Sequence, residues 1–408
     1  MSSTITTLKK QIDSYFHNTY LAKYPIEIRD MLVYLFNDGK RIRPILFIAF
    51  NHIAFGDFSN SNQNSDSKSE STINWIEYAI EIELVHCLSL VIDDLPDMDN
   101  ENERRGKPCF HIVYGLQKTN FFLYYLFTKL SSNFTNLVKF HTYTNNIRVS
   151  NKILDDASYI INFLINNLID GQYIDITSGN TMKTNLQTVV DSNINMVVQL
   201  ILSIYIGVNT ISANTISADT SSNTAASVIQ NYIILNIKKT GSLFALPIIT
   251  GFLFQIYKKN LEYTGDEIIQ DEFNLAASID KTDNPRDIDM ESNKDSDIDK
   301  DANAKKINLG DDNILNLIMT WAMMLGFLFQ TSDDFLDMIP DSTNGKPNIC
   351  NILGVDPSIK LLSKCTLVIR VMFDYIYKNT RLIWPDINID SENVYHILDL
   401  IEARFTTS

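Results

Sequence analysis

The sequence predicts an all-α fold, and three observations carry that expectation. Glycine and proline are scarce, 14 and 10 in 408 residues, so short strands punctuated by turns are hard to place. Apolar residues recur instead with a period near 3.6 over long stretches. Runs that alternate with period two between turn residues are rare.

In chain order this periodicity predicts helices over 26–37, 45–52, 73–92, 121–130, 152–169, 188–206, 225–238, 243–257, 314–329 and 362–379. Two segments are oily along their whole length, 241–257 (GSLFALPIITGFLFQIY) and 314–332 (ILNLIMTWAMMLGFLFQTS). A membrane span needs about 20 such residues, so length alone is borderline. Pro247 and Gln255 interrupt the first segment and aspartates close the second. Helices apolar on every side are then expected to be buried in a large core rather than to cross a membrane.

Three polar stretches divide this helical body, 57–72, 209–224 and 261–312. The first two are rich in Ser, Asn and Thr and are expected to be flexible loops. The third holds sixteen acidic and six basic residues, so it carries ten of the fifteen net negative charges. Its low apolar content predicts a disordered insertion in an otherwise single domain spanning 1–408. An acidic chain with pI near 4.8 disfavours nucleic acid and anionic membrane as bulk partners. The four cysteines, Cys87, Cys109, Cys350 and Cys365, form no CxxC pair, which points away from a disulfide framework or a zinc site. The N-terminal segment lacks the apolar core of a signal peptide, and Asp13 argues against an organelle leader. A cytoplasmic location is the expectation.

The chemistry concentrates in two acidic clusters. In 85–111 (VHCLSLVIDDLPDMDNENERRGKPCFH) an apolar helix ends in Asp93, Asp94, Asp97 and Asp99, with Pro96 unable to continue it. Four carboxylates within seven residues, at the negative end of a helix dipole, repel one another unless a cation holds them. Oxygen ligands at this density suit a hard cation, and magnesium keeps waters and bridges to phosphate. A solvated acidic loop is the plain alternative. A calcium loop is disfavoured by Met98, which stands where an EF-hand needs glycine. The second cluster, Asp333, Asp334 and Asp337, has i,i+3 and i,i+4 spacing on an apolar helix, which predicts one shared face. Two clusters about 240 residues apart are expected to act as jaws on a polyphosphate and its metal ions.

Basic residues supply the counterpart: Lys40, Arg41 and Arg43 before an apolar helix, Arg104-Arg105 after the first aspartates, and Lys238-Lys239 before the helix at 243. Each patch alone is ordinarily a solvated surface. Together with the carboxylates they imply two diphosphates, one held through metal and one by Arg and Lys.

Five segments in order, GKRIRP, HCLSLVIDDLPDMD…RRGKPCFH, GQYID, KTGSLF and FQTSDDFLD, resemble the motifs of the trans-isoprenyl (polyprenyl) diphosphate synthases. The resemblance runs from about Ile12 to Leu353. It implies an isoprenoid synthase fold, a helical bundle around a deep apolar cavity, and a homodimer. It implies that Asp93, Asp94 and Asp99 form the first aspartate motif and Asp333, Asp334 and Asp337 the second, both holding Mg2+ on an allylic diphosphate. Arg104 matches the arginine on that diphosphate, and Lys40, Arg43, His86 and Arg105 the isopentenyl diphosphate site. Lys239, Thr240 and Gln330 match the residues lining the ionising centre, and Gln172 the glutamine of the GQ motif. Alone, His86 would be an ordinary core histidine; its place seven residues before Asp93 is what the family shares.

The implied reaction is head-to-tail condensation of isopentenyl diphosphate with an allylic diphosphate, without a protein nucleophile. The family sets product length largely by residues just before the first motif, where an aromatic at the fifth position upstream favours fifteen carbons. Leu88 stands there, which predicts geranylgeranyl diphosphate first and farnesyl diphosphate second. The chain departs from the family pattern after the second motif: Lys346 remains, but Asn348 stands for Thr and Cys350 for Pro. A terpene cyclase would need no second diphosphate site and would carry a different second metal motif. A non-catalytic subunit of a heteromeric synthase would typically lack an aspartate motif, and both are present.

Overall fold

The computed structural model describes residues 3–52, 75–144, 148–178, 192–210, 221–258, 311–337 and 348–406. The polar stretch 57–72, residues 261–310 of the acidic stretch, and Lys346 lie outside the described residues.

The described chain is helical apart from one short ladder. The helices are α1 (Ser3–Asn18), α2 (Ile26–Phe36), α3 (Ile42–Asn51), α4 (Trp75–Asp93), α5 (Phe110–Tyr114), α6 (Leu116–Thr144), α7 (Arg148–Ser178), α8 (Ser192–Thr210), α9 (Ser221–Asn236), α10 (Ser242–Lys258), α11 (Asp311–Leu336), α12 (Ile349–Leu353), α13 (Val355–Ile383) and α14 (Ser391–Thr406). Between α4 and α5, β1 (Glu103–Arg104) pairs antiparallel with β2 (Lys107–Pro108). A π-helical turn, Ile237–Gly241, joins α9 to α10. Of the stretch 209–224, where a loop is expected, residues 209–210 end α8 and 221–224 begin α9, while 211–220 lie outside the described residues. Ser, Thr and Asn are favoured at helix ends, so a polar run does not by itself mark where a helix stops.

The chain separates into two compact units interleaved in sequence. One comprises Met1–Leu164, Leu246–Tyr263 and Asn388–Ile397; the other comprises Ile165–Ala245, Thr264–Ile387 and Leu398–Ser408. In the first unit an aromatic cluster forms the core. Phe47, Trp75, Phe134 and Phe254 surround Tyr78 or one another at ring-centroid distances of 5.0 to 5.2 Å. Gly251 lets α10 approach α3, since a Cβ there would lie 2.7 Å from the Phe47 carbonyl oxygen. Gln255, the polar residue in the first oily segment, is fully buried and satisfied. Its amide donates to the carbonyls of Phe50 (2.7 Å) and Asn388 (2.9 Å), and its oxygen accepts from Asn388 N–H (2.7 Å).

In the second unit Trp321 of α11 is buried, donates its indole N–H to the Ile369 carbonyl of α13 at 2.9 Å, and lies against Phe373. Burying side chains of this size contributes about 1.5–3 kcal/mol each. Two segments, Ser227–Ile256 and Ile314–Leu336, are long and apolar enough to cross a membrane by composition, yet 94% and 78% of their most apolar windows are buried inside the protein. Burial on every side accounts for their composition, as expected for core helices.

Candidate active site

One cluster of candidate residues, within the first unit, is built at the end of α4. The helix closes at Asp93, and Pro96 prevents its continuation. The chain then turns back on itself. The amide of Asp99 donates to the Asp93 carbonyl at 2.9 Å, satisfying a helix-end acceptor and folding the six-residue spacing into a tight turn. Asp93 and Asp94 are 7% and 3% exposed, while Asp97 and Asp99 face solvent.

A carboxylate as buried as Asp94 needs a partner. Arg104 supplies it as a fork: Nε donates to Oδ1 at 2.7 Å and to Oδ2 at 2.9 Å, and Nη2 to Oδ1 at 2.5 Å. The ladder β1–β2 places Arg104 in this position. Its two connecting residues, Arg105 and Gly106, both adopt positive φ, 56° and 75°, as a two-residue hairpin turn requires. The α2 side steadies the hairpin: Tyr34 Oη donates to the Pro108 carbonyl at 2.6 Å, and Lys107 pairs with Asp38. The Cys109 thiol, just beyond, is pushed up to about 12 by burial and then by the Asp94 carboxylate.

His86 lies two turns before Asp93 on α4. Burial first, then the positive charges of Arg43, Arg105 and Arg104, hold its imidazole well below the usual histidine range, so the ring is neutral. Its Nδ1 is buried and has no protein partner. The positive charge of these three arginines acts on a neutral ring with an orphaned nitrogen, an electrostatic setting that favours an anion. Of the basic run before α3, Arg41 turns inward. Its Nε donates to Asp13 at 2.8 Å, its Nη1 to Glu83 at 3.4 Å, and its guanidinium lies 3.6 Å from the Phe36 ring centroid. Gly39 leaves the space for it, since a Cβ there would fall 2.0 Å from Nη1. Arg43 is buried and Lys40 is exposed. Leu88 and its neighbour Cys87 are buried in the same helix.

A second cluster of candidate residues lies within the other unit. Lys239 and Thr240 sit on the π-helical turn, a distortion that recurs at functional sites. Lys239 Nζ donates to Asp175 at 2.7 Å and Lys238 Nζ to Asp170 at 3.0 Å, both on α7. Gly171 permits that approach, because a Cβ there would lie 2.7 Å from the Lys239 amide nitrogen; Gln172 beside it is half-buried. Gly326 and Gly241 bring α11 equally close to the turn, with a Gly326 Cβ falling 2.6 Å from Gly241 Cα. A relay of hydrogen bonds results: Thr240 Oγ1 donates to Gln330 Oε1 at 3.0 Å, and Gln330 Nε2 to Asp334 Oδ1 at 3.0 Å.

The three aspartates of this cluster differ in burial and in partners. Asp334 is 5% exposed and turns inward, where Tyr232 Oη and the Ile349 amide (3.1 Å) also donate to it. Asp333 is engaged by Arg404 of α14. Asp337 follows the last helical turn and is exposed. At about 100° per residue the three positions span an arc of about 100°, with Asp337 between Asp333 and Asp334, as the i,i+3 and i,i+4 spacing predicts. Tyr232, Asn348 and Arg404 complete the cluster unforeseen. Asn348 donates to the Asp334 carbonyl at 2.6 Å and caps α12 through the Cys350 amide at 2.9 Å. Its signal was an Asn just before a short apolar helix.

Among the described residues no group of three His, Cys, Asp or Glu converges on a point. The donors are nevertheless all oxygen and come in adjacent pairs. That fits magnesium, which completes its shell with water and phosphate oxygens rather than with a protein cage.

The Polyprenyl synthetase family matches residues 26–200, which hold the first aspartate motif and its arginines. The geranylgeranyl diphosphate synthase of Cyanophora paradoxa is 31% identical over 169 residues, 40% of this chain and 48% of that protein. The chain thus spans about half the length of that relative. The geranyltransferase of Helicobacter pylori has the same fold, with a TM-score of 0.55 at 18% identity over 98% of both chains. A second crystal structure of that enzyme, complexed with magnesium and isoprenyl diphosphate, has a TM-score of 0.52 at 17% identity over 98% of both chains. The architecture is the isoprenoid synthase fold. The family match over 26–200 takes in the first aspartate motif and its arginines, and there the chain is similar to the polyprenyl synthetases.

Proposed function

We propose that this protein joins isopentenyl diphosphate head-to-tail to an allylic diphosphate in a magnesium-dependent reaction, with geranylgeranyl diphosphate as product. The observation that carries the reading is the end of α4, where Asp93 and Asp94 are buried and Arg104 forks onto Asp94 with Arg105 beside it in sequence. Arginines next to paired carboxylates bind one diphosphate directly while the carboxylates take the metal side of another.

Magnesium, when bound, supplies positive charge to the leaving diphosphate. The chain's own residues do the rest. Arg43, Arg105 and Lys40 grip the isopentenyl diphosphate, and His86 offers Nδ1 without carrying a competing charge. Arg104, released in part from Asp94, reaches the allylic diphosphate. Thr240 and Gln330 present oxygens that stabilise positive charge on the allylic carbons, and the apolar walls keep water out. The allylic C–O bond breaks with its electrons leaving on diphosphate, the isopentenyl double bond forms the new C–C bond, and the released diphosphate takes the proton. Leu88 sets the depth available to the growing chain.

The same reading includes a cytoplasmic homodimer. It is supported by exposed apolar residues along α6, where Leu116, Phe121, Tyr124 and Phe127 lie within one broad face and Tyr124 is 77% exposed. Patches of this kind mark interaction surfaces.

The test is incubation with labelled isopentenyl diphosphate and dimethylallyl, geranyl or farnesyl diphosphate, with and without magnesium. A magnesium-dependent twenty-carbon alcohol after dephosphorylation is the expected result. A fifteen-carbon alcohol retains the chemistry and removes the Leu88 assignment. No elongation by the purified chain overturns the activity.

A further inference from the structure

The last turn of α14 delivers a cation to the second aspartate cluster. Arg404 Nη1 donates to Asp333 and, at 3.1 Å, to Ser332 Oγ, and Ser332 in turn donates to the Phe329 carbonyl at 2.6 Å. The guanidinium also lies 4.3 Å from the Phe329 ring centroid. With its side chain 12% exposed against 36% for Asp333, Arg404 is better enclosed than the carboxylate it serves. A surface ion pair would have neither this third partner nor this enclosure.

A guanidinium in this place does electrostatically what a divalent cation on Asp333 would do. Two positive charges on one partly buried carboxylate repel, so arginine and metal compete for it. We propose that Arg404 sets the affinity of the second aspartate cluster for magnesium: it neutralises Asp333 while the metal is away and yields the carboxylate when the metal arrives. The ring of Phe329 and the hydroxyl of Ser332 retain the displaced guanidinium nearby. Metal loading is thereby coupled to the seating of the last turn of α14. The inference rests on the reading of Asp333 as a metal ligand.

The test is calorimetric titration of the full chain with magnesium in the presence of inorganic pyrophosphate, comparing the unsubstituted protein with Arg404→Met, which keeps an apolar stem over Phe329. The variant is expected to bind magnesium about two- to fivefold tighter, the fold-change a partly enclosed ion pair carries. Hydrogen exchange of the unsubstituted protein, which needs no variant to fold, is expected to quicken at 402–406 when magnesium and pyrophosphate are added. Equal or weaker metal binding by Arg404→Met, unchanged exchange in that turn, or no magnesium binding by either protein overturns the proposal. Tighter binding by the variant in a chain that makes no prenyl product would remove the proposed activity and leave the role of Arg404 standing. An active chain whose metal affinity ignores Arg404 would do the reverse.

Discussion

The hydroxyl of Tyr232 donates to the carboxylate of Asp334 across 102 residues of sequence, and the two side chains are among the most buried polar contacts of their unit. Asp334 accepts further bonds from Gln330 Nε2 and the Ile349 amide, so α9, α11 and the start of α12 are tied through one carboxylate. That arrangement suits an anchor that fixes where Asp333 and Gln330 point. Removing the phenol as Tyr232→Phe takes one donor from a buried charged group, which costs about 1–3 kcal/mol. Denaturant unfolding should show the loss as a lower midpoint at unchanged slope. A midpoint equal to that of the unsubstituted protein would mean the bond contributes nothing.

Gly326→Ala probes a closer contact. The added Cβ would meet Gly241 Cα at 2.6 Å and the Thr240 carbonyl oxygen at 2.8 Å, both backbone atoms that cannot rotate away. Helix α11 must therefore move off the π-helical turn, lengthening the 3.0 Å bond from Thr240 to Gln330. Overpacking of this kind costs about 1–3 kcal/mol. If Thr240 and Gln330 serve the ionising centre as proposed, turnover should fall more than isopentenyl diphosphate binding does. A variant with full turnover and normal stability would show that the two backbones part without consequence.

Glu81 gives the fold a pH dependence of its own. Burial raises its carboxyl from 4.5 to about 8, although Asn133 Nδ2 donates to Oε1 at 2.6 Å and Tyr20 Oη at 3.4 Å. Oε2 is buried without a partner. Between pH 4.5 and 8 the folded chain thus keeps a proton that the unfolded chain has released. Stability from this group falls as pH rises through that window, by at most about 1.4 kcal/mol per pH unit. Glu81→Gln, which mimics the protonated form, should be more stable than the parent at pH 8 and nearly equal to it at pH 5. Thermal melts at the two pH values decide it, and equal differences at both would sink the assignment.

Much of this molecule was legible in the sequence because its signals are local. The boundaries of α2, α4 and α10 fall within a few residues of those the apolar period predicts. The aspartates and arginines announced themselves by charge density at helix ends. Helices α1 and α14 were passed over even though Ile5, Leu8, Ile12 and Phe16, or Val394, Ile397, Ile401 and Phe405, are buried at helical spacing; polar neighbours diluted both patterns. The partners of the second cluster were beyond reach for a different reason. Nothing near Arg404 in sequence says that it meets Asp333, 71 residues away, and nothing near Tyr232 says that it meets Asp334. Those pairings arise only when helices pack, and the spacing of carboxylates along one helix does not reveal their partners on other helices.

Leu88 offers the most direct test of substrate depth. It is 7% exposed on α4, five residues before Asp93, with Cys87 equally enclosed beside it. If the growing chain extends from the aspartates along this part of α4, a tyrosine at 88 fills the space that the last isoprene unit would take. Leu88→Tyr should therefore shift the product from twenty carbons to fifteen while farnesyl diphosphate ceases to serve as a starter. Leu88→Ala, which only removes volume, should permit a product of twenty-five carbons and costs about 2–5 kcal/mol of stability. Chromatography of the dephosphorylated alcohols reads both variants. Two folded variants with an unchanged twenty-carbon product would place the floor of the cavity on another helix.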